Sequence, residues 1–156
     1  MMQRPLALVI ALGTLAACGN HDAPEHAADS AIAAATAPAP VAKNPHVKAF
    51  DLGHALDSTS RITGGVSTSF HTGDTIFVSV RTEFVPEGAN VGIRLLRGKT
   101  TADSTGLKSG APTAEGLAII ATRFLAPAKG WPMGAYRVEI FLDGVSQGLS
   151  DFEVIK

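Results

Sequence analysis

The residues that come nearest to a catalytic motif surround Ser146. The run Gly144-Val145-Ser146-Gln147-Gly148 satisfies Gly-x-Ser-x-Gly, a pattern that in nucleophile elbows sets a serine on a sharp strand-to-helix turn, ahead of its acid and histidine. Here the chain ends eight residues after Gly148, and the last histidine, His71, precedes the serine. We therefore expect no nucleophile at this position, and replacing Ser146 by alanine should change little.

Other side chains capable of chemistry are scattered. Three histidines are spaced by eight and seventeen residues, without a cysteine partner or a His-Glu-x-x-His pattern: His46, His54 and His71. This spacing does not predict a zinc site. Three aspartates fall near predicted strand ends, where aspartate stabilises turns: Asp51, Asp57 and Asp74. With no glycine-rich phosphate loop either, we predict no catalytic residues, no metal and no cofactor.

Cys18 is the only cysteine of the chain, and it follows a short apolar run. Arg4 supplies a positive charge, the apolar stretch extends from Pro5 to Leu15, and Ala16-Ala17 supply small residues before the cysteine. A helix needs roughly 20 apolar residues to cross a bilayer, and this stretch is about half as long. Residues 1–17 are therefore predicted to be a cleaved export signal.

Leu15-Ala16-Ala17-Cys18 resembles the lipobox of bacterial lipoproteins, a likeness that covers residues 1–20. It implies that the Cys18 thiol carries a diacylglyceryl group and that the new amino terminus is acylated. Two or more chains suit stable anchoring, because a single acyl chain binds a membrane only marginally. Gly19-Asn20 in place of an aspartate implies sorting to the outer membrane, facing the periplasm. The alternative is an ordinary signal peptide with an incidental cysteine.

Residues 18–45 are predicted to form a tether. Residues 21–45 contain ten alanines and four prolines, a composition that buries too little apolar surface to offset the entropy of ordering. His21, Asp22, Glu25 and His26 contain metal-ligating groups, but a flexible segment does not hold ligands in a fixed geometry. The tether should let the following domain stand off the lipid surface.

Residues 46–156 are predicted to be one all-β domain. Its eleven Lys and Arg balance its eleven Asp and Glu, which gives no basic surface for nucleic acid. Five stretches favour strands: 76–81, 91–96, 117–125, 135–142 and 145–155, with a first strand ending at Gly53. Residues 117–125 have apolar residues in both alternating sets of positions, and so they are expected to form a central strand covered on both faces or a strand with a register shift. Asp143-Gly144 predicts a type I′ hairpin, and Gly148 a bulge.

The segment Trp131-Pro132-Met133-Gly134-Ala135-Tyr136-Arg137-Val138 resembles the tyrosine corner of immunoglobulin-like and fibronectin-type sandwiches. The likeness implies an antiparallel sandwich of six to seven strands, in which the Tyr136 hydroxyl bonds to backbone just upstream. Tyr136, Asp143 and Gly144 are then structural residues. Trp131 is expected to cap one end of the core; the alternative is a partner-binding loop formed by Trp131, Pro132 and Met133.

Two classes of function follow. The first is a non-catalytic, membrane-anchored envelope lipoprotein whose domain binds an envelope protein or a glycan. The second is an inhibitor of an envelope enzyme acting through the loop of residues 126–133, or an enzyme without a recognisable motif. The absence of an acid–base or metal pattern favours the first class. The partners expected are the membrane, through Cys18, and an envelope protein or glycan whose identity the sequence leaves open.

Overall fold

The protein is all-β in the part that the structure, a computed structural model, describes: residues 43–156. Ten strands follow one another: β1 His46–Gly53, β2 Ala55–Leu56, β3 Ile62–Thr63, β4 Ser69–His71, β5 Ile76–Glu83, β6 Asn90–Arg97, β7 Thr100–Lys108, β8 Leu117–Phe124, β9 Gly134–Leu142 and β10 Val145–Ile155. This range contains no helix that could cross a membrane. Cys18, the predicted signal of residues 1–17 and most of the predicted tether lie outside the described residues.

The strands form three sheets. One has the order β1-β5-β8, the second β4-β10-β9-β6-β7, and β2 pairs with β3 in a small hairpin. Every pair is antiparallel except β4 with β10, which run parallel. The prediction of a wholly antiparallel arrangement is therefore wrong at this one edge, where a three-residue strand joins the last long strand.

The alternation of apolar and polar residues in the sequence predicts alternating buried and exposed positions, and these are found along β6, β9 and the end of β10. In β5 the predicted inner residues are buried, but so is Ser79 between them. The buried side chains of β5, β6, β9 and β10 form one hydrophobic cluster that draws on both larger sheets: Ile76, Val78, Val80, Val91, Ile93, Leu95, Tyr136, Val138, Ile140, Leu142, Phe152 and Val154. Asp151 and Glu153 face solvent, as their positions between the buried residues require. A period of two in the sequence thus identified the inner face of each of these strands.

The β9–β10 hairpin has the predicted turn. Asp143 and Gly144 have φ values of 47° and 84°, the two positive angles that a type I′ turn needs. The register of the hairpin shifts between Ser146 and Gly148, so the bulge lies at Gln147, beside the predicted glycine. Asp143 has a second role that the sequence did not suggest, because its carboxylate accepts the Asn90 N–H at 3.0 Å and fixes the start of β6.

Strand β8 is an edge strand, which corrects the prediction of a central one. In the described range it pairs with β5 alone, without a register shift. Its apolar residues alternate between two environments: Ala118, Ile120 and Phe124 face the core, whereas Leu117 and Ile119 are half-buried on the outer face. An apolar outer face, and not a second covering layer, explains the continuous apolar run.

Candidate functional site

Ser146 lies in no catalytic arrangement. It is exposed near the start of β10, and its hydroxyl donates a hydrogen bond to the Glu139 carboxylate at 2.8 Å. Its strand belongs to a hairpin and not to a strand–turn–helix elbow. The serine therefore lacks the sharp turn of an elbow, and its hydroxyl contacts a carboxylate and not the histidine of a triad.

A different serine lies beside a histidine and an aspartate. The Ser67 Oγ and His54 Nε2 atoms are 3.3 Å apart, and His54 Nδ1 lies 3.5 Å from Asp74 Oδ2. His71 Nδ1 is also 3.5 Å from that carboxylate oxygen. The sequence analysis considered both histidines and Asp74 but gave no reason to place them together, since their spacing matches no motif and Ser67 lies in a loop.

Hydrogen bonding shows why this Ser–His–Asp group is not an activated nucleophile. The Ser67 hydroxyl donates to the Ser69 carbonyl at 2.6 Å, so its single proton is directed away from His54. Asp74 in turn accepts the His71 backbone N–H at 2.7 Å. A triad needs the serine proton on the histidine nitrogen. The group instead joins β4 to the loops on either side of it, with the His54 ring packed 4.7 Å from the Phe70 ring.

These side chains do not form a metal centre either. Across residues 43–156, no group of three or more His, Cys, Asp or Glu side chains is arranged to hold a metal ion. His46 lies apart from the other two histidines, with its Nε2 3.4 Å from the Glu83 carboxylate.

Tyr136 and the turn before it form a compact corner. The Tyr136 hydroxyl donates to the Pro132 carbonyl at 2.9 Å, four residues upstream. The side chain is 2% exposed, and burial raises its pKa above the ordinary value, although the nearby positive charge of Arg97 acts in the opposite direction. The ring stacks on Phe152 at 5.3 Å. The corner thus connects the entry of β9 to the hydrophobic core.

Trp131 lies inside this corner. The indole is 3% exposed, and its Nε1–H donates to the Asp74 carbonyl at 2.9 Å. Its backbone N–H donates to the Thr72 carbonyl at 2.7 Å. Of the three residues in the predicted partner-binding loop, only Pro132 and Met133 present their side chains to solvent, Met133 with 57% exposure.

A groove of about 680 Å³ crosses the outer face of the three-stranded sheet. Its floor is apolar where Leu117 and Ile119 of β8 contribute their side chains, with the inward-facing Ala118 between them. The wall on one side is the loop between β7 and β8, with Ala111, Thr113, Ala114 and Glu115. The sequence analysis missed this groove, because its residues come from four separated segments whose apposition depends on strand order.

Three cations line the groove against a single acid. Lys48 comes from β1, Arg81 from β5 and Arg61 from the turn before β3, and Glu115 is the acid. Two of the cations also contact carboxylates outside the lining: Arg81 lies 3.3 Å from Asp51, and Lys48 lies 3.3 Å from Glu83. Such exposed pairs contribute only about 0–1 kcal/mol, so a ligand carboxylate could replace either partner at small cost.

The β2–β3 turn that carries Arg61 is organised by Asp57. The Asp57 Oδ1 atom accepts the Arg61 N–H at 3.0 Å, the Thr59 N–H at 2.8 Å and the Thr59 hydroxyl at 2.7 Å. The hydrogen bonds from the Arg61 backbone and the Thr59 side chain hold the pKa of Asp57 below its ordinary value. The turn is further fixed to the sheet because the Ser79 hydroxyl donates to the Ser60 carbonyl at 2.7 Å. Arg61 is thus presented from an ordered turn.

Comparison with known proteins gives no family. No family model matches the sequence, and no curated protein matches it significantly. Among solved structures, a β-glucosidase from Listeria innocua in complex with glucose is 11% identical with a TM-score of 0.42, over 69% of this chain and 16% of that one. The alkylpurine DNA glycosylase AlkC from Pseudomonas fluorescens, bound to DNA, is 14% identical with a TM-score of 0.40, over 69% and 30%.

A CARDB domain from Pyrococcus furiosus, in complex with di-metal ions, is 10% identical with a TM-score of 0.40, over 72% of this chain and 89% of that one. This chain spans less than a third of the length of the β-glucosidase and of the DNA glycosylase. We take neither a fold nor a function from these three likenesses.

Proposed function

We propose that this chain is a lipid-anchored envelope protein that presents an immunoglobulin-like domain for binding and not for catalysis. The sheet order supports the fold part of the proposal. With β1, β5 and β8 as strands A, B and E, and β6, β7, β9 and β10 as C, C′, F and G, the order agrees with that of immunoglobulin-like sandwiches. Tyr136 then lies near the start of strand F, the position of a tyrosine corner.

The domain departs from that pattern in two respects. Strand β4 adds a parallel partner to β10, and no strand of the described range occupies the position of D beside β8. The sequence also has one cysteine, outside the domain, so the disulfide of antibody domains is absent. The proposal therefore concerns the sandwich class and not a particular subfamily.

The observation that carries the binding function is the groove lined by Lys48, Arg61 and Arg81 over an apolar floor. An extended concavity with a few convergent polar groups is the usual form of a ligand site. Arg81 and Lys48 are already paired with Asp51 and Glu83, but these exposed pairs are weak. Together with Arg61 they favour a ligand with negative charge, and the leucine and isoleucine of the floor favour one that is also partly apolar. We propose an anionic segment of an envelope protein or glycan as the ligand.

The predicted anchor fits this function. Acyl chains on Cys18 would hold the protein at a membrane, and a flexible segment the length of residues 21–45 has an r.m.s. span of about 25–30 Å. The groove would then sample partners within a few nanometres of the lipid surface. Neither a diffusing substrate nor an enclosed reaction chamber is needed for this role.

The experiment is photo-crosslinking from the groove in the native envelope. A photoreactive residue replaces Ala114, an exposed residue of the groove wall, in the full-length chain, and the same residue replaces Ser104 on β7 as a control. The captured species is then compared between two variants. One is the double variant Arg61→Gln/Arg81→Gln, and the other is the single variant Arg137→Gln. Arg137 is a matched control because it too is an exposed arginine, paired with Asp151 at 2.7 Å on the other large sheet.

We expect one species to be captured from position 114 and not from 104, at least tenfold less in the Arg61/Arg81 double variant, and unchanged in Arg137→Gln. Capture that is equal in the two variants would show that the groove cations do not select the ligand, and the proposed site would be wrong.

The hydrogen-bonded loop around Met133 supports a second candidate, an inhibitor of an envelope enzyme. The Pro132 carbonyl is held by Tyr136, and the Met133 carbonyl accepts from the Arg97 guanidinium at 3.1 Å. A preorganised loop loses little conformational entropy when it enters an active site. If this function is correct, Met133→Ala should weaken inhibition of an envelope hydrolase at least tenfold, whereas Val145→Ala, which alters an equally exposed apolar residue elsewhere, should not.

A further inference from the structure

We infer that the edge of β8 that faces away from β5, which no strand of residues 43–156 covers, pairs with the same edge of a second copy of this chain. The two three-stranded sheets would then join into one antiparallel sheet across a twofold axis. The inference rests on the backbone and outer face of β8 and not on the groove cations or the proposed ligand, although Leu117 and Ile119 of this strand also line the groove floor. A second copy of this chain captured from position 114 would therefore support this inference and not the proposed ligand.

The backbone of β8 shows which of its groups are available. Phe84 N–H donates to the Gly116 carbonyl at 2.7 Å on the β5 side. Leu117, the next residue, donates its N–H to the Thr113 hydroxyl at 3.2 Å and accepts the Thr113 N–H at 2.8 Å, on the side away from β5. Bonding direction alternates along an antiparallel strand, and β8 has an unbroken register with β5. The N–H and C=O groups of Ile119, Ala121 and Arg123 therefore point to the open edge.

The other long edges are less suited to pairing. On β1, the Val47 N–H already faces the Gln147 side chain at 3.4 Å, and its register is interrupted between Val47 and Ala49. Strand β7 is exposed along most of its length, and its register with β6 shifts at Leu95 and Leu96. Irregular edges of this kind resist edge-to-edge association. Strand β8 is regular and mostly apolar, it contains no proline, and its one charged residue is Arg123.

The sequence of β8 is complementary to itself about Ala121. An antiparallel pair centred there places Ala121 opposite Ala121 of the second copy, where two small side chains allow close approach. Ile119 lies opposite the other copy's Arg123, whose aliphatic stem can cover the isoleucine. Leu117 lies opposite the other copy's Leu125. Leu125 is 61% exposed in the single chain, and this register supplies it with an apolar neighbour.

No like charges face each other directly in this arrangement, because each Arg123 faces an isoleucine. The outward groups of residues 119, 121 and 123 would form about six backbone hydrogen bonds across the axis. Anchoring of both copies to one membrane, if Cys18 is lipidated, would raise their effective concentration at each other's edges.

The test introduces charge at the axis in the full-length chain. Ala121→Glu sets two carboxylates opposite each other, and like charges directly across a strand pair are destabilising. Ala121→Gln is the matched control, with the same shape and no charge. A photoreactive residue at Leu125 reports the pairing, and a mixture of normal and nitrogen-15-labelled copies distinguishes crosslinks between chains from those within one chain.

We expect mixed-isotope crosslinks from position 125 to residues 113–117, retained in Ala121→Gln and reduced several-fold in Ala121→Glu. A photoreactive residue at Ser104 on the β7 edge should give no such crosslink. Trp131 fluorescence must be the same in both variants, which excludes unfolding. Absence of mixed crosslinks in the parent chain, or equal crosslinking in the two Ala121 variants, would overturn the inference.

Discussion

At the scale of single residues, the Tyr136 hydroxyl makes the clearest separable contribution to stability. Tyr136→Phe keeps the buried ring but leaves the Pro132 carbonyl without its hydrogen bond, and such losses cost about 1 kcal/mol. Urea denaturation followed by Trp131 fluorescence should report this decrease in the free energy of unfolding, because the chain has one tryptophan. An unchanged midpoint would mean that the corner bond is not a net stabiliser.

The same residue predicts an alkaline pH dependence. Burial raises the pKa of Tyr136 in the folded state, so the unfolded tyrosine, with a pKa of about 10, releases its proton first. The contribution of the buried, neutral Tyr136 to the free energy of unfolding is complete below pH 10. It is lost as the pH rises through the folded-state pKa of this tyrosine. Absorbance at 295 nm should show the chain's only tyrosine ionising later in the native than in the denatured protein. Tyr136→Phe should lack this component of the pH dependence.

Local sequence signals predicted residues whose partners are close in the chain. The resemblance of residues 131–138 to a tyrosine corner implied a hydrogen bond from the Tyr136 hydroxyl to backbone just upstream, and its acceptor is the carbonyl of Pro132, four residues before it. The groove could not be predicted in this way, because Lys48, Arg61, Arg81 and Ile119 come together only through the order of strands. The same is true of His54 and Asp74, which are brought together by the loops around β4.

At the scale of elements, the β9–β10 hairpin tests how far a turn depends on backbone conformation. Gly144 has a φ of 84°, and a Cβ added there would meet no atom within 4 Å. Gly144→Ala should therefore lower the free energy of unfolding by about 1 kcal/mol through backbone strain alone. Gly106→Ala is the matched control, since that site is equally open but has no positive φ. Equal stability of the two variants in thermal or urea unfolding would contradict this account.

Strands were predicted where they bury one face and missed where they do not. Strand β7 has the sequence TTADSTGLK and is largely exposed on both faces, so no alternation marks it. Strand β4 has three residues, too few to show a period, although its Phe70 is fully buried. Strand β8 was recognised but placed centrally, because an apolar outer face gives the same pattern as a second covering layer. Element type thus follows from local periodicity, whereas position in a sheet follows from contacts between distant segments.

At the scale of the whole molecule, the function proposed for the domain depends on a segment outside the described residues. The proposed ligand is a component of the envelope, so the domain would meet it only if the chain is held at a membrane, and Cys18 is the residue for which the lipobox resemblance implies that role. Cys18→Ala should abolish incorporation of labelled palmitate and move the protein from the membrane fraction to the soluble fraction. The groove and the corner should be unaffected, since neither contains residues near position 18 in the sequence.

The position after the cysteine gives a second and independent measurement. Gly19→Asp introduces the residue that favours inner-membrane retention in lipoproteins of the kind this sequence resembles. It should therefore shift the lipidated protein between separated membrane fractions without reducing palmitate labelling, and Gly19→Asn should not. Labelling that survives Cys18→Ala would refute lipidation at this residue. If Cys18→Ala loses its labelling but Gly19→Asp does not move between membrane fractions, lipidation at Cys18 would stand and sorting by residue 19 would be wrong. The two measurements therefore test lipidation and sorting separately.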